Sequence, residues 1–183
     1  MRVLSFYVDD ELFAVDVDIV QKVARKIAVT HVPAAPDAIT GIINLKGRVI
    51  TVFNLNELLG RGGKQYIKTP FTERRKLQAA DLLNKKPVNN ITADIVNIIV
   101  FKSISGTDDQ MGLIMDKPGI LIDIDDELIR QPSLATGMEE SYCISGIAEL
   151  DNTLYRIINI DSIIDKYKNN GGKTAENNIG GVN

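Results

Sequence analysis

Cysteine, histidine and tryptophan are nearly missing: the 183 residues hold one Cys, one His and no Trp. Cys143 has no partner within the chain, which excludes a disulfide framework. His31 and Cys143 are the only strong nitrogen and sulfur ligands, too few for most zinc, haem or iron–sulfur centres. No cofactor or metal is expected. Long apolar runs are missing as well: the longest span a handful of residues, as at 98–101, against the roughly 20 that a membrane-spanning helix needs. The first ten residues have neither the apolar run nor the cleavage site of a signal peptide. A cytoplasmic location is the expectation.

What is present describes an ordinary folded protein, with 44% hydrophobic and 25% charged residues. The length fits one domain, or two small ones sharing a core. Charge is uneven. The net charge is −3, yet residues 61–90 carry eight Lys/Arg against Glu73 and Asp81, a net +6. The remaining 13 basic and 22 acidic side chains leave the rest of the chain near −9. The basic stretch contains Gly62-Gly63, Pro70 and Pro87, so it reads as a solvated connector or as a docking loop for an acidic partner or anionic lipid.

Ile and Val make up about a fifth of the residues and the dominant period is two, which marks a mainly β chain. Residues 4–8 and 12–15 flank Asp9-Asp10-Glu11 as a hairpin. Residues 16–26 place Val17, Val20, Val23 and Ala24 at helical spacing, which predicts a short amphipathic helix. A strand at 29–32 ends at Pro33. A second hairpin, 41–45 with 48–53, turns at Lys46-Gly47, and Asn54 fits as the N-cap of a short helix ending before Gly60. Further strands are predicted at 93–102, 111–115 and 119–124, with a turn or helix at 125–129. The last hairpin, 142–150 with 153–158, turns at Asp151-Asn152, and a helix follows from Asn159 to about Tyr167. The Asn/Gly-rich residues 168–183 read as a disordered tail.

An internal repeat runs through these elements at a fixed offset of 105. Ile39, Gly41, Ile42, Leu45 and Asn54 recur as Ile144, Gly146, Ile147, Leu150 and Asn159. Apolar positions between them match almost throughout. Each unit of strand, turn, strand, cap and helix is too small to bury its own apolar face. Short strands with tight turns favour closed barrels, because closure removes sheet edges. The expected fold is therefore two small, adjoining β-barrels of SH3- or OB-like kind, related by the repeat.

The run Gly41-Ile42-Ile43-Asn44-Leu45-Lys46-Gly47-Arg48, continuing Val49-Ile50-Thr51-Val52-Phe53-Asn54-Leu55, resembles the signature of the CheW family of chemosensory coupling proteins. Other segments agree in order: the Phe6–Val8 strand, Val20-Gln21-Lys22-Val23 as a helix, Pro33-x-x-Pro36, Met111-Gly112-Leu113-Ile114-Met115-Asp116, and Ser145-Gly146-Ile147 before 154–160. The resemblance covers about residues 3–166. It implies two five-stranded barrels within a single domain at 1–167. Subdomain 1 falls at about 12–60, the basic connector at 61–92 and subdomain 2 at about 93–158, with an N-terminal strand and a C-terminal helix packing across. It implies no catalysis. The family bridges the cytoplasmic tip of a chemoreceptor (a methyl-accepting chemotaxis protein) to the regulatory domain of a CheA-type histidine kinase. Contact with a membrane is then only indirect, through receptors.

Carried over position by position, the resemblance marks Val20, Lys22, Gly41, Asn44, Lys46, Gly47, Met115 and Asp116 as partner-binding residues. The chain departs from the family in several of them. Lys22 replaces a family Glu, Lys46 replaces an Arg and loses its bidentate fork, Thr51 replaces Pro, and Asn54 replaces Asp. By residue chemistry alone, Gly47 serves either the turn or a contact, and Val20 and Val23 either core or interface.

No catalytic constellation is visible. Asp123, Asp125, Asp126 and Glu127 lack the Gly and the distal Glu of a calcium loop. Gly41 and Gly47 lack the Gly-Lys-Ser/Thr that cradles phosphate. The competing function is an adaptor for nucleic acid or an anionic surface, acting through the connector at 61–90 on a small barrel. Against it, only Tyr66 and Phe71 lie among the connector's cations to stack bases, so nucleic acid is not an expected partner.

Overall fold

The structure, a computed structural model, describes residues 1–61, 95–103, 110–132 and 142–170. The basic connector beyond Arg61 and the tail past Asn170 lie outside the described residues. The first half supplies β1 (Arg2–Val8), β2 (Glu11–Asp16), β3 (Val20–Ala28), β4 (Ile39–Leu45), β5 (Arg48–Phe53) and helix α1 (Leu55–Leu58). The second half supplies β6 (Ile95–Phe101), β7 (Gln110–Met115), β8 (Lys117–Asp123) and the two-residue β9 (Ile129–Arg130). It ends with β10 (Ile144–Leu150), β11 (Thr153–Ile158) and helix α2 (Ile160–Asn170).

Two sheets form, in the orders β8-β1-β2-β11-β10-β9 and β3-β6-β7-β5-β4. We call them barrel A and barrel B. Each is built on one plan: an outer strand (β8 or β3), an antiparallel hairpin (β1–β2 or β6–β7), then a parallel step onto the repeat hairpin (β11–β10 or β5–β4). At repeat-equivalent places in the parallel step, Ala14 lies beside Ile157 and Gly112 beside Val52. Each ring closes through the chain that continues its outer strand. Thr30, just past β3, exchanges two 2.8 Å backbone hydrogen bonds with Ile42 on β4, and Arg130 on β9 pairs with Ile147 on β10. Ile42 and Ile147 are repeat-equivalent.

The repeat holds in fine detail. Both hairpins carry a bulge at the same place, between Ile39 and Gly41 and between Ile144 and Gly146. The capping Asn residues are anchored alike: Asn54 N–H donates to Ala38 O at 2.9 Å, and Asn159 N–H to Cys143 O at 2.8 Å. Their side chains then cap the helices, accepting from Asn56 N and Ser162 N at 3.0 Å. Both turns use left-handed backbone, φ 55° and 84° at Lys46 and Gly47, 47° and 59° at Asp151 and Asn152, the primed geometry that suits a two-residue hairpin.

Three expectations are corrected. Residues 16–26 are not a helix: Asp16 caps one 3-10 turn at Val17–Ile19, and the chain then extends as β3. The β-branched Val20 and Val23 prefer extended backbone, and the pairing of β3 with β6 satisfies their main chain, so the Val20-Gln21-Lys22-Val23 segment is strand too. The strand expected at 29–32 is reduced to the single bridge at Thr30. Helix α2 continues to Asn170, past the expected end at Tyr167. The sheets also do not divide at the connector. Segment 12–60 supplies β2 to barrel A and β3, β4 and β5 to barrel B, while 93–158 supplies strands to both.

Three apolar clusters fill the body. One lies inside barrel B around Ile50, Val52, Ile98 and Val100, and one inside barrel A around Val3, Ala14, Ile124 and Ile157. The largest lies between them and takes residues from both, among them Phe6, Phe13, Phe53, Phe101 and Leu113. Helix α2 closes over it with Ile160 and Ile163, and Tyr167 meets Phe53 edge to face at 5.2 Å. At the opposite margin Arg2 ties β1 to Asp123 on β8 through a 2.8 Å hydrogen bond. That bond, more than the guanidinium charge, holds the Asp123 carboxyl below its ordinary range.

The closing step explains the repeated glycine. A Cβ on Gly41 would sit 2.2 Å from the Thr30 backbone oxygen, and one on Gly146 would sit 2.4 Å from the Ile129 Cγ2 methyl. Backbone cannot yield without breaking the closing bridge, whereas a side chain can repack. Gly41→Ala is therefore expected to cost about 3 kcal/mol and Gly146→Ala about 1–2 kcal/mol. Urea unfolding checks the order, and equal stability of Gly41→Ala and the parent would refute this account.

Candidate functional site

The eight positions marked from the sequence fall in three places. Asn44, Lys46 and Gly47 form the exposed tip of the β4–β5 hairpin. The Asn44 side chain accepts from Gly47 N at 3.0 Å and holds the turn. An added Cβ at Gly47 would meet nothing within 4 Å, yet φ +84° disfavours an L side chain there. The turn thus favours Gly47 whatever else it touches, although the equivalent turn holds Asn152 in the same left-handed region. Val20 and Lys22 open β3, both half-buried, with Val20 packed against the central cluster. Gly41 is buried beneath the closing bridge.

Met115 and Asp116 sit at the far end of barrel B from the tip. Strand β7 starts with Gln110 beside Ile50, near the tip, and runs parallel to β5 away from it. Met115 is 2% exposed and belongs to the central cluster. Asp116 is half-buried and faces the β1–β2 turn, where its Oδ2 accepts from Asp9 N at 2.6 Å.

That corner holds residues the sequence did not single out together. A cleft of about 310 Å³ is lined by Val8, Asp9, Asp10, Glu11, Asn56 and Arg61. Asn56, 7% exposed, donates from Nδ2 to Asp9 Oδ2 at 2.7 Å. Arg61 pairs with Glu11, and Arg156 approaches the same carboxylate at 3.6 Å while lying over the Phe13 ring. The network pins the end of α1, and with it barrel B, to the first hairpin of barrel A. Every lining polar group but Asp10 is engaged in this network, so the cleft works as a joint between barrels. Asn56→Ala removes the bond to Asp9 and is expected to lower stability by about 1–2 kcal/mol, measured by urea unfolding.

The single cysteine and the single histidine both lie against backbone carbonyls. Cys143 is 1% exposed, and its thiol donates to Leu58 O at 3.4 Å. His31 is half-buried with Nδ1 at 3.4 Å from Thr40 O. Among the described residues no group of three or more His, Cys, Asp or Glu side chains is arranged to hold a metal ion, and no helix is long and apolar enough to cross a membrane. The outer surface instead offers large apolar side chains, Val49 at 60%, Leu154 at 42%, and Ile120 and Leu121 above half exposed. Val49 and Leu154 are repeat-equivalent and follow the two hairpin turns.

Comparison with known proteins agrees with this architecture. The fold resembles the crystal structure of the scaffolding protein TtCheW from Thermoanaerobacter tengcongensis, with a TM-score of 0.63 and 25% identity over 87% of this chain and 88% of that one. A chemotaxis protein CheW from Thermotoga maritima is 45% identical over 59 residues, 32% of this chain, and the match spans only 39% of that relative. The profile of the CheW-like domain matches residues 2–168. The chain belongs to the CheW-like domain family.

Proposed function

We propose that this protein is a non-enzymatic cytoplasmic adaptor that couples chemoreceptors to a CheA-type histidine kinase. The observation that carries the reading is the family match over residues 2–168, on a body that keeps both barrels. A coupling protein has to hold two partners at a fixed relation, and that demands rigidity between its faces more than reactive groups. The central cluster and the Arg61–Glu11–Arg156 joint supply such rigidity. Half-buried Val20 and Lys22 on β3, with the tip at Asn44, Lys46 and Gly47, present apolar surface beside cations. That is the mixture by which interfaces combine an apolar centre with a polar rim. Asp116 and the buried Met115 would set the far corner of barrel B, and Gly41 would act from within, by keeping its ring closed. Lys22 in place of the family Glu inverts a rim charge, which selects partners by sign more than by strength.

Sedimentation of the full chain with a receptor cytoplasmic fragment, and separately with a kinase regulatory domain, tests the reading. Binding to both in the micromolar range is expected. Absence of binding to either at several hundred micromolar would refute it. Lys22→Glu is expected to change affinity for one of the two by about threefold, the scale of a rim charge, with its thermal midpoint unmoved.

A further inference from the structure

One face of barrel A is left uncovered where β2 and β11 begin. Their parallel pairing sets Phe13 beside Arg156 and brings the two strand starts to the same end. The β1–β2 turn at Asp9-Asp10 and the β10–β11 turn at Asp151-Asn152 therefore share that end. By this register Glu11, Leu154 and Glu149 follow one another across the sheet on β2, β11 and β10. Leu154 is 42% exposed, and Asp10, Glu149 and Asp151 are exposed around it. Arg61 and Arg156 both approach Glu11, while Asp10, Glu149 and Asp151 make no ion pair among the described residues.

The chain leaves and re-enters the described structure beside this face. Arg61, the last residue before 62–94, is the one paired with Glu11. Ile95, the first residue after, is two positions from Asn97, whose Nδ2 donates to Asp116 O at 2.7 Å. Asp116 in turn accepts from Asp9 N in the β1–β2 turn. Residues 62–94 hold seven basic and three acidic side chains, a net +4, and five of the seven cations fall within 64–76. The described segments that build barrel A, residues 1–19, 116–132 and 142–167, hold five basic and 14 acidic, a net −9.

We propose that the basic run 64–76 of this chain's own connector lies across that sheet face of barrel A, extending the pairing that Arg61 begins with Glu11. Lys64 is three residues from Arg61 and Lys76 fifteen, a reach of at most about 10 and 50 Å. Asp10, Glu149 and Asp151 lie at the strand starts where Arg61 is already held. Tyr66, Ile67 and Phe71 stand among the cations and offer apolar side chains to Leu154, an apolar centre within a charged rim. Barrel B repels the same run: its described segments, residues 20–61, 95–103 and 110–115, carry seven basic and two acidic side chains, a net +5. Exposed ion pairs are individually weak, but attachment at both ends makes the contact intramolecular and keeps the effective concentration high. The inference goes beyond the coupling role and needs no partner, so its failure leaves the receptor and kinase assays untouched.

Carbodiimide coupling of the full chain at low salt, followed by peptide mass spectrometry of the monomeric product, should join Lys64, Lys68 or Lys76 to Asp10, Glu149 or Asp151. Links to these carboxylates found only in a covalent dimer, or not found at all, would overturn the proposal. Trypsin gives a second readout, since cleavage follows the population of the open form. At about 50 mM salt, cleavage after Lys64, Lys68 and Arg74 should be about fivefold slower in the parent than in Asp10→Asn with Asp151→Asn, the effect of two exposed ion pairs. Asn suits the left-handed backbone at Asp151, as Asn152 beside it shows. At about 0.5 M salt the two should be cut alike, because screening shortens the reach of exposed charges. Should the double variant not fold, Glu149→Gln, outside both turns, carries the same comparison and should speed cleavage about twofold. Equal cleavage of parent and variants at low salt would overturn the proposal, as would a difference that persists at high salt.

Discussion

Parallel pairing between distant parts of the chain is what makes either barrel possible. Strand β2 lies beside β11, and β7 beside β5, so each barrel holds a hairpin lent by the other half of the sequence. A hairpin alone is marginal in water, and three or more strands around an apolar face are needed for stability. Neither half has those strands in one place until the other arrives. At the seam Ala14 lies beside Ile157 and Gly112 beside Val52, and Ile157 and Val52 each help fill the interior of one barrel.

The exchange also fixes how the two barrels relate. Strand β2 passes through a single 3-10 turn into β3, and β7 passes through Asp116 into β8. Each crossing moves the chain from one barrel to the other with little slack. Between the crossings the largest apolar cluster is shared, and relative motion of the barrels would have to expose Phe6, Phe13, Phe53 and Phe101, each at most 6% exposed. Burial of aromatic side chains on that scale stabilises by several kcal/mol, enough to make the pair one body. The polar corner around Asp9, Asn56 and Arg61 adds directional bonds at its edge.

Much of this was legible from residues alone. The offset of 105 located both hairpins, both turns and both capping Asn residues, because turn and cap chemistry is local and leaves its mark within a few positions. The helix expected at 16–26 failed because valines at helical spacing also fit a strand, and only the Ile/Val-rich β6, some 75 residues later, decided between them. The closing role of Gly41 could not be read either, since Thr30 reaches it only once the ring has formed. The same holds for the corner network. Asp9 meets Asp116 across 107 residues and Arg61 meets Glu11 across 50, and pairings at that separation leave no local pattern.

The exchanged hairpins carry a consequence for ancestry. A lone half-chain of strand–strand–strand–hairpin–helix, present twice, would assemble the same body as a two-fold dimer, each copy lending its first hairpin to its twin. Such a dimer is bound to symmetry: any substitution appears on both lobes at once. Fusion of the halves into one polypeptide lifts that bond, and each lobe is then free to acquire a surface of its own. Lys46 in one lobe and Asp151 at the matching place in the other is such a difference, which a dimer of identical halves cannot hold.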